Sequence, residues 1–226
     1  MRVKALVLAQ SSTQTADARW DSPLAGRGVL ERTIENAAAC PVIDEVVIAT
    51  DLPGLLARNT LAGARISEIP ANMRAYNFTF LDVSLGRLSM ERCMLQEMDC
   101  EAEVVFHISW KLPLFSPRSL ERIFHTLLDS PVAARVLPIS PVDPGLFTQQ
   151  PGATGFFPVW HAPGVDRQRI PQLFRPGAVA VSHAKRLGQG IPSVTGVRIA
   201  RRELVTIESA RDLPLAAYLL EQQPAG

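Results

Sequence analysis

Lysine is scarce in this chain: of 23 basic residues only Lys4, Lys111 and Lys185 are lysines. A phosphate site built on several lysines is therefore excluded, and most cationic work falls to arginine. Neither sign of charge is in excess, since 23 basic and 22 acidic residues leave a net +1. No global field draws the chain to nucleic acid or to an anionic membrane. Cysteine is limited to Cys40, Cys93 and Cys100. An odd number without C-x-x-C or zinc spacing argues against a disulfide framework and a structural zinc, and a reducing cytoplasm is the expected compartment. No apolar run approaches the roughly 18 residues of a membrane helix. The run Val3 to Ala9 has the length of a buried strand, and polar residues follow it from Gln10.

What is present suits one sizeable core. The chain has 226 residues, 47% of them hydrophobic and 20% charged, which excludes a disordered chain and fits a single α/β domain. Strands are expected at Val3 to Ala9, Asp44 to Thr50, Ala64 to Ile69, Glu103 to Ile108 and Val132 to Ile139. Helical spacing marks Leu30 to Ala39, Leu52 to Leu61 and Phe78 to Glu97. Ser116-Pro117 opens a further helix through Leu128, with serine as cap and proline at the first helical position. Strands are again expected at Ala178 to Val181, Gly196 to Ala200 and Leu204 to Ile207, then a helix from Ser209 to about Glu221 with Asp212 three residues after its cap. Such alternation predicts a three-layer, mostly parallel sheet between helices, with ligands at the carboxyl ends of the strands. Between 140 and 176 prolines and aromatics interrupt the pattern, the mark of a functional loop or an intersubunit arm.

Four stretches carry a resemblance. Pro23-Leu24-Ala25-Gly26 followed by Leu30-Glu31-Arg32-Thr33-Ile34-Glu35 resembles a P-L-A-G-x-x-L-x-x-x-T-I-E motif. Asp44 to Asp51 resembles a strand ending V-S-T-D. Arg167-Gln168-Arg169-Ile170-Pro171-Gln172-Leu173-Phe174-Arg175-Pro176, then Gly177-Ala178-Val179, resembles R-Q-x-L-P-x-x-F-R-P-N-G-A-I, the most specific of the four. Val205 to Leu213 resembles an I-D-I-D-T-P-E-D-L tail. Together they resemble the acylneuraminate cytidylyltransferases, which activate acidic sugars, over about Val3 to Leu220. The resemblance implies a nucleotide-diphospho-sugar transferase-like fold spanning 1–226, with 140–176 as a dimerisation arm and a homodimer as the assembly. It also implies CTP and an acidic sugar as partners and Mg2+ as cofactor. In that family a sugar hydroxyl attacks the α-phosphate of CTP, so the chemistry needs donors around the triphosphate, a divalent ion and a positioned nucleophile.

The polar positions depart from the family. Its phosphate loop, A-R-x-x-S-K-G-x-P-x-K-N, falls on Ala9, Gln10, Thr13, Gln14, Thr15, Asp17, Arg19 and Trp20. The glycine and two of three cations are gone, and each lost cation forfeits about 4 kcal/mol of phosphate attraction at 4 Å and intermediate dielectric. The two metal aspartates fall on Thr206 and Glu208, so Glu208 is the one candidate ligand left. The L-Q-P-T-S-P-L-R segment reads Ile108-Ser109-Trp110-Lys111-Leu112-Pro113-Leu114-Phe115, with Ser109 in place of the nucleotide-contacting glutamine. Arg167, Gln168 and Arg175 keep the sugar and dimer-arm motif. These substitutions imply a descendant whose cytidylyl transfer is lost or altered. The alternative is an active transferase that uses Glu208 and a substituted loop.

The remaining residues offer less. Asp51 at a strand end either faces the cleft or caps a helix. Trp110 and Trp160 either fill the cleft or belong to a core. His107 reads as a packed strand histidine, and no Ser/His/Asp spacing supports a nucleophile. Gly26-Arg27-Gly28 with Glu31 is half a dinucleotide fingerprint, but it follows a loop and is discounted.

Overall fold

A computed structural model describes residues 1–15, 19–74, 92–96, 98, 102–141, 147–148, 157–158, 174–186 and 193–222. Its centre is β1 (Val3–Ala9), buried at every position. β1 pairs in parallel with β4 (Glu45–Thr50) on one side and β7 (Val104–Ser109) on the other. β4 pairs in parallel with β6 (Ala64–Glu68). β8 (Arg135–Pro141) carries β13 (Val194–Arg198) in parallel on one edge. On its other edge run β11 (Phe174–Pro176) and β12 (Val179–His183), both antiparallel. β12 in turn joins β7, also antiparallel. Among the described residues the order across the sheet is thus β13, β8, β12, β7, β1, β4, β6, and β11, β12 and a short hairpin strand oppose the common direction. β9 (Phe147–Thr148) and β10 (Phe157–Pro158) form a separate antiparallel pair.

Side-chain alternation sorts the two faces. Val3, Ala5, Val7 and Ala9 of β1 enter the larger core with α1 (Val29–Ala38) and α3 (Pro117–Asp129). Leu6 and Leu8 point the other way, to Val47, Ala49, Met73 and the helical residues 92–96 with Met98. Period-two alternation in the parallel strands therefore builds both layers. The expected cap is confirmed: Ser116 accepts from the Ser119 N–H at 3.2 Å, and Pro117 opens α3.

β1 and β4 share an ion pair, buried on the lysine side. Lys4 is buried in β1 and meets Glu45 at 2.9 Å, and Arg65 reaches the same carboxylate at 3.1 Å. Burial alone would raise Glu45's carboxyl. Hydrogen bonds and charge from Lys4 and Arg65 outweigh it and hold the group below its ordinary range.

Two turns explain sequence signals. β2 (Pro23–Leu24) and β3 (Arg27–Gly28) form a hairpin whose two turn residues, Ala25 and Gly26, have φ of 47° and 83°. That mirror-image turn requires positive φ at both positions. Gly28 then precedes α1, and the Glu31 carboxylate accepts its N–H at 3.0 Å. The half-fingerprint glycines are hairpin and cap, as their place after a loop suggested. At Gly177 the two strands fall out of step: Pro176 faces Ile139 and Val181 faces Val136, five steps against three. A Cβ there would lie 2.7 Å from Leu204 Cδ2 and 3.1 Å from Pro138 Cγ.

Some expectations fail. The helix expected over Leu52 to Leu61 is α2 (Pro53–Leu56) only. Thr60–Leu61 instead forms β5, turned back on β6 through Ala62 and Gly63 at φ 48° and 82°. The strand expected at Leu204 to Ile207 is a 3-10 turn, Arg201–Leu204, followed by chain without ladder partners. The last helix, α4, spans Asp212–Glu221, three residues later than expected. Asp212 still accepts from the Ser209 N–H at 2.8 Å, but the turn at 209–211 is not yet α-helical. Most of Phe78 to Glu97, and most of 140–176, lie outside the described residues.

Candidate active site

The carboxyl ends of β1, β4 and β7 are level: Ala9 stands opposite Thr50, and Leu8 opposite Ser109. The Thr50 hydroxyl donates to the Ala9 carbonyl at 2.7 Å, fixing the point where β1 gives way to its loop. Gln10 is buried, and its carbonyl accepts from the Thr13 N–H and hydroxyl at 3.1 and 2.7 Å. The result is a 3-10 turn over Ser11–Thr13. Asp51 holds that turn from the next strand: its carboxylate accepts from the Ser11 N–H and hydroxyl, both at 2.6 Å. Asp51 therefore faces the loop after β1, and the residue capping α2 is Leu52.

β7 closes the site from the other side. Ser109 donates its N–H to Ala178 at 2.9 Å, and its hydroxyl accepts from the Lys111 N–H at 3.3 Å. Trp110 is completely buried, and its indole N–H donates to the Thr13 hydroxyl at 2.9 Å. Lys111 turns its ammonium 5.8 Å from the Trp110 ring centroid and 2.5 Å from a Glu208 carboxylate oxygen. The Lys111 carbonyl accepts from Ile207 at 2.9 Å, so the chain leading to Glu208 is laid against the end of β7. Thr15 reaches the Glu208 carbonyl at 3.4 Å.

Gln10, Thr13, Ser109 and Glu208 are thus brought to one sheet edge, with Ala9 beneath them. Gln14 follows the 3-10 turn and is half-buried. Arg19 is exposed and its guanidinium engages Asp21 at 3.2 Å. Arg175 lies exposed on β11 opposite Ser140, whereas Arg167, Gln168 and Trp160 lie outside the described residues. Lys111 was not singled out from the sequence. Its signal was there, as one of three lysines in an arginine-rich chain, two residues past the end of a parallel strand.

The whole fold has counterparts among solved structures. CMP:2-keto-3-deoxy-manno-octonic acid synthetase complexed with CTP superposes with a TM-score of 0.70 at 12% identity, over 98% of this chain and 99% of that one. A 4-diphosphocytidyl-2C-methyl-D-erythritol synthase gives 0.69 at 13% identity, over 97% and 98%. Its namesake from Anaerococcus prevotii DSM 20548 gives 0.63 at 15% identity, over 98% and 99%. The fold is that of the nucleotide-diphospho-sugar transferases. No family model and no curated protein matches the sequence.

In this nucleotide-diphospho-sugar transferase fold the expected ligand crevice is the strand edge just described. The residues there do not fit the Mg2+ that the sequence resemblance implies. Magnesium wants carboxylate and phosphate oxygens with room for water. Glu208 already holds an ammonium, and Thr206 brings no charge. The Asp212 carboxylate accepts from the Glu208 and Ser209 backbone and the Ser209 hydroxyl. Among the described residues no group of three His, Cys, Asp or Glu side chains is placed to hold a metal. Among the same residues no helix is long and apolar enough to cross a membrane.

Proposed function

We propose that this chain descends from cytidylyltransferases acting on acidic sugars and that its cytidylyl transfer has been lost or altered. One observation carries the reading: the Glu208 carboxylate, which the resemblance assigns to the metal, is bound to Lys111. Phosphoryl chemistry on a triphosphate depends on neutralising its oxygens. Here amides stand at Gln10 and Gln14 where the family has cations, and the Thr13 and Thr15 hydroxyls are bonded to Trp110 and Glu208. What supports kinship is the fold together with the retained frame: the Pro23 to Gly28 hairpin, the Asp51 strand end, and Gly177 in its crowded bulge. The residues 140–176, with Arg167, Gln168 and Arg175, are proposed as an arm that meets a second copy and an acidic ligand.

The test is calorimetry with CTP and magnesium, beside a pyrophosphate-release assay over a panel of acidic sugars. Absence of turnover with weak or no CTP binding is the expected result. Pyrophosphate released at the expense of CTP overturns the reading in favour of an active transferase.

A further inference from the structure

Lys111 and Glu208 form a lopsided pair. The lysine side chain is 10% exposed and the glutamate side chain 62%. The ammonium lies beside the Trp110 ring, and the backbone that carries it is tied to Ile207 through the Lys111 carbonyl. The carboxylate stands largely in water. A buried ammonium without an anionic partner is costly, whereas an exposed carboxylate that swings away simply regains hydration. Exchange of the partner on Lys111 is therefore a swap of one anionic oxygen for another, with the cation staying in place. An ammonium suits this role, because it is a compact charge with three donors and no planar geometry to satisfy. The Thr15 hydroxyl meets the backbone carbonyl of Glu208 at the same sheet edge.

We propose that Lys111 binds the phosphate of a nucleoside monophosphate-like ligand, that Glu208 is its removable stand-in, and that the ligand enters without a divalent ion. The proposal rests on the reading above, since it takes the strand edge as the ligand crevice. It differs in what it asks of Glu208. A metal ligand there would help an anion bind, whereas a stand-in competes with it.

The experiment is titration calorimetry with CMP in EDTA and again with excess magnesium, with cytidine as the arm lacking phosphate. CMP is expected to bind in EDTA with an affinity that magnesium leaves unchanged. Glu208→Gln is expected to tighten CMP about threefold to fivefold, the scale of a half-exposed ion pair, and to leave cytidine unaffected. Lys111→Met is expected to weaken CMP at least about tenfold, as for a lost charged hydrogen bond. Should that variant not fold, Lys111→Arg serves, with CMP weakened and cytidine unchanged. Binding of CMP only with magnesium, or weaker binding by Glu208→Gln, overturns the proposal. So does absence of CMP binding by Glu208→Gln in EDTA at millimolar concentration. Pyrophosphate release from CTP is the separate result that removes the reading beneath it.

Discussion

The indole N–H of Trp110 donates to the hydroxyl of Thr13 across 2.9 Å, tying the end of β7 to the turn after β1. Thr13 passes the interaction on, since its own hydroxyl donates to the Gln10 carbonyl. One aromatic side chain thus does two jobs: it fills the space between strand and loop, and it fixes the loop's path.

Those two jobs separate by substitution. Trp110→Phe keeps most of the apolar fill and loses the bond, so it should cost about 1 kcal/mol. Trp110→Ala also opens a cavity and should cost about 3–5 kcal/mol. Urea midpoints at constant slope measure both. Equal losses in the two variants would show that the hydrogen bond, not the fill, dominates.

The helix start at Ser116 is a second testable point. Its hydroxyl accepts from the Ser119 N–H and bonds the Glu203 carboxylate at 2.7 Å, and Glu203 also takes the Ser116 N–H at 3.0 Å. Ser116→Ala should destabilise by about 1 kcal/mol, the usual value of a lost cap. Ser116→Asp would keep the cap but set a carboxylate against Glu203, and should melt below the alanine variant.

Crowding at Gly177 predicts coupling. Gly177→Ala places a methyl 2.7 Å from Leu204 Cδ2 and should cost about 1–3 kcal/mol as overpacking. In the Leu204→Ala background the same change should cost much less, because the obstructing branch is gone. Additive losses in that double-mutant cycle would refute the steric account.

Acid should lower stability over two pH windows. Burial and the Arg186 charge push the His183 imidazole below its ordinary 6.5, against a backbone bond to Leu127 that raises it. The unfolded chain therefore takes up that proton first, and stability is lost as pH falls below 6.5. Glu45 is also depressed in the folded state, so its contribution is present above its ordinary 4.5 and is lost as pH falls through the folded value. His183→Gln should flatten the first limb and Glu45→Gln the second, in melting temperature against pH. At neutral pH Glu45→Gln should still destabilise, since it leaves the Lys4 ammonium buried without that carboxylate.

Much of the frame was written locally. The run at Val3 to Ala9 announced a buried strand, and Lys4 inside it did not break the pattern because Glu45 stands opposite it and takes its ammonium. Ser116-Pro117 marked a helix start because capping chemistry is local. The direction of β12 was not legible: whether a strand runs with or against its neighbours depends on where the preceding chain emerges, and no periodicity records that. The strand expected at Leu204 to Ile207 had the composition but no ladder partner among the described residues, and Ile207 instead gives its N–H to the Lys111 carbonyl. The site was legible by position and only partly by chemistry. Gln10, Thr13, Ser109 and Glu208, picked from the motifs, lie together at one edge of the sheet. The ion pair between Lys111 and Glu208 spans 97 residues and leaves no trace in spacing.

The contact of Thr15 with the Glu208 carbonyl joins positions 193 apart. During synthesis the early strands leave the ribosome long before the segment that completes the crevice. The contact between the loop after β1 and the Glu208 segment is therefore a late product of folding, closed only after residue 208 has emerged. Contacts of such long sequence separation are slow to form. A nascent chain halted before Glu208 would leave the Lys111 ammonium at the end of β7 without the carboxylate that meets it in the folded protein.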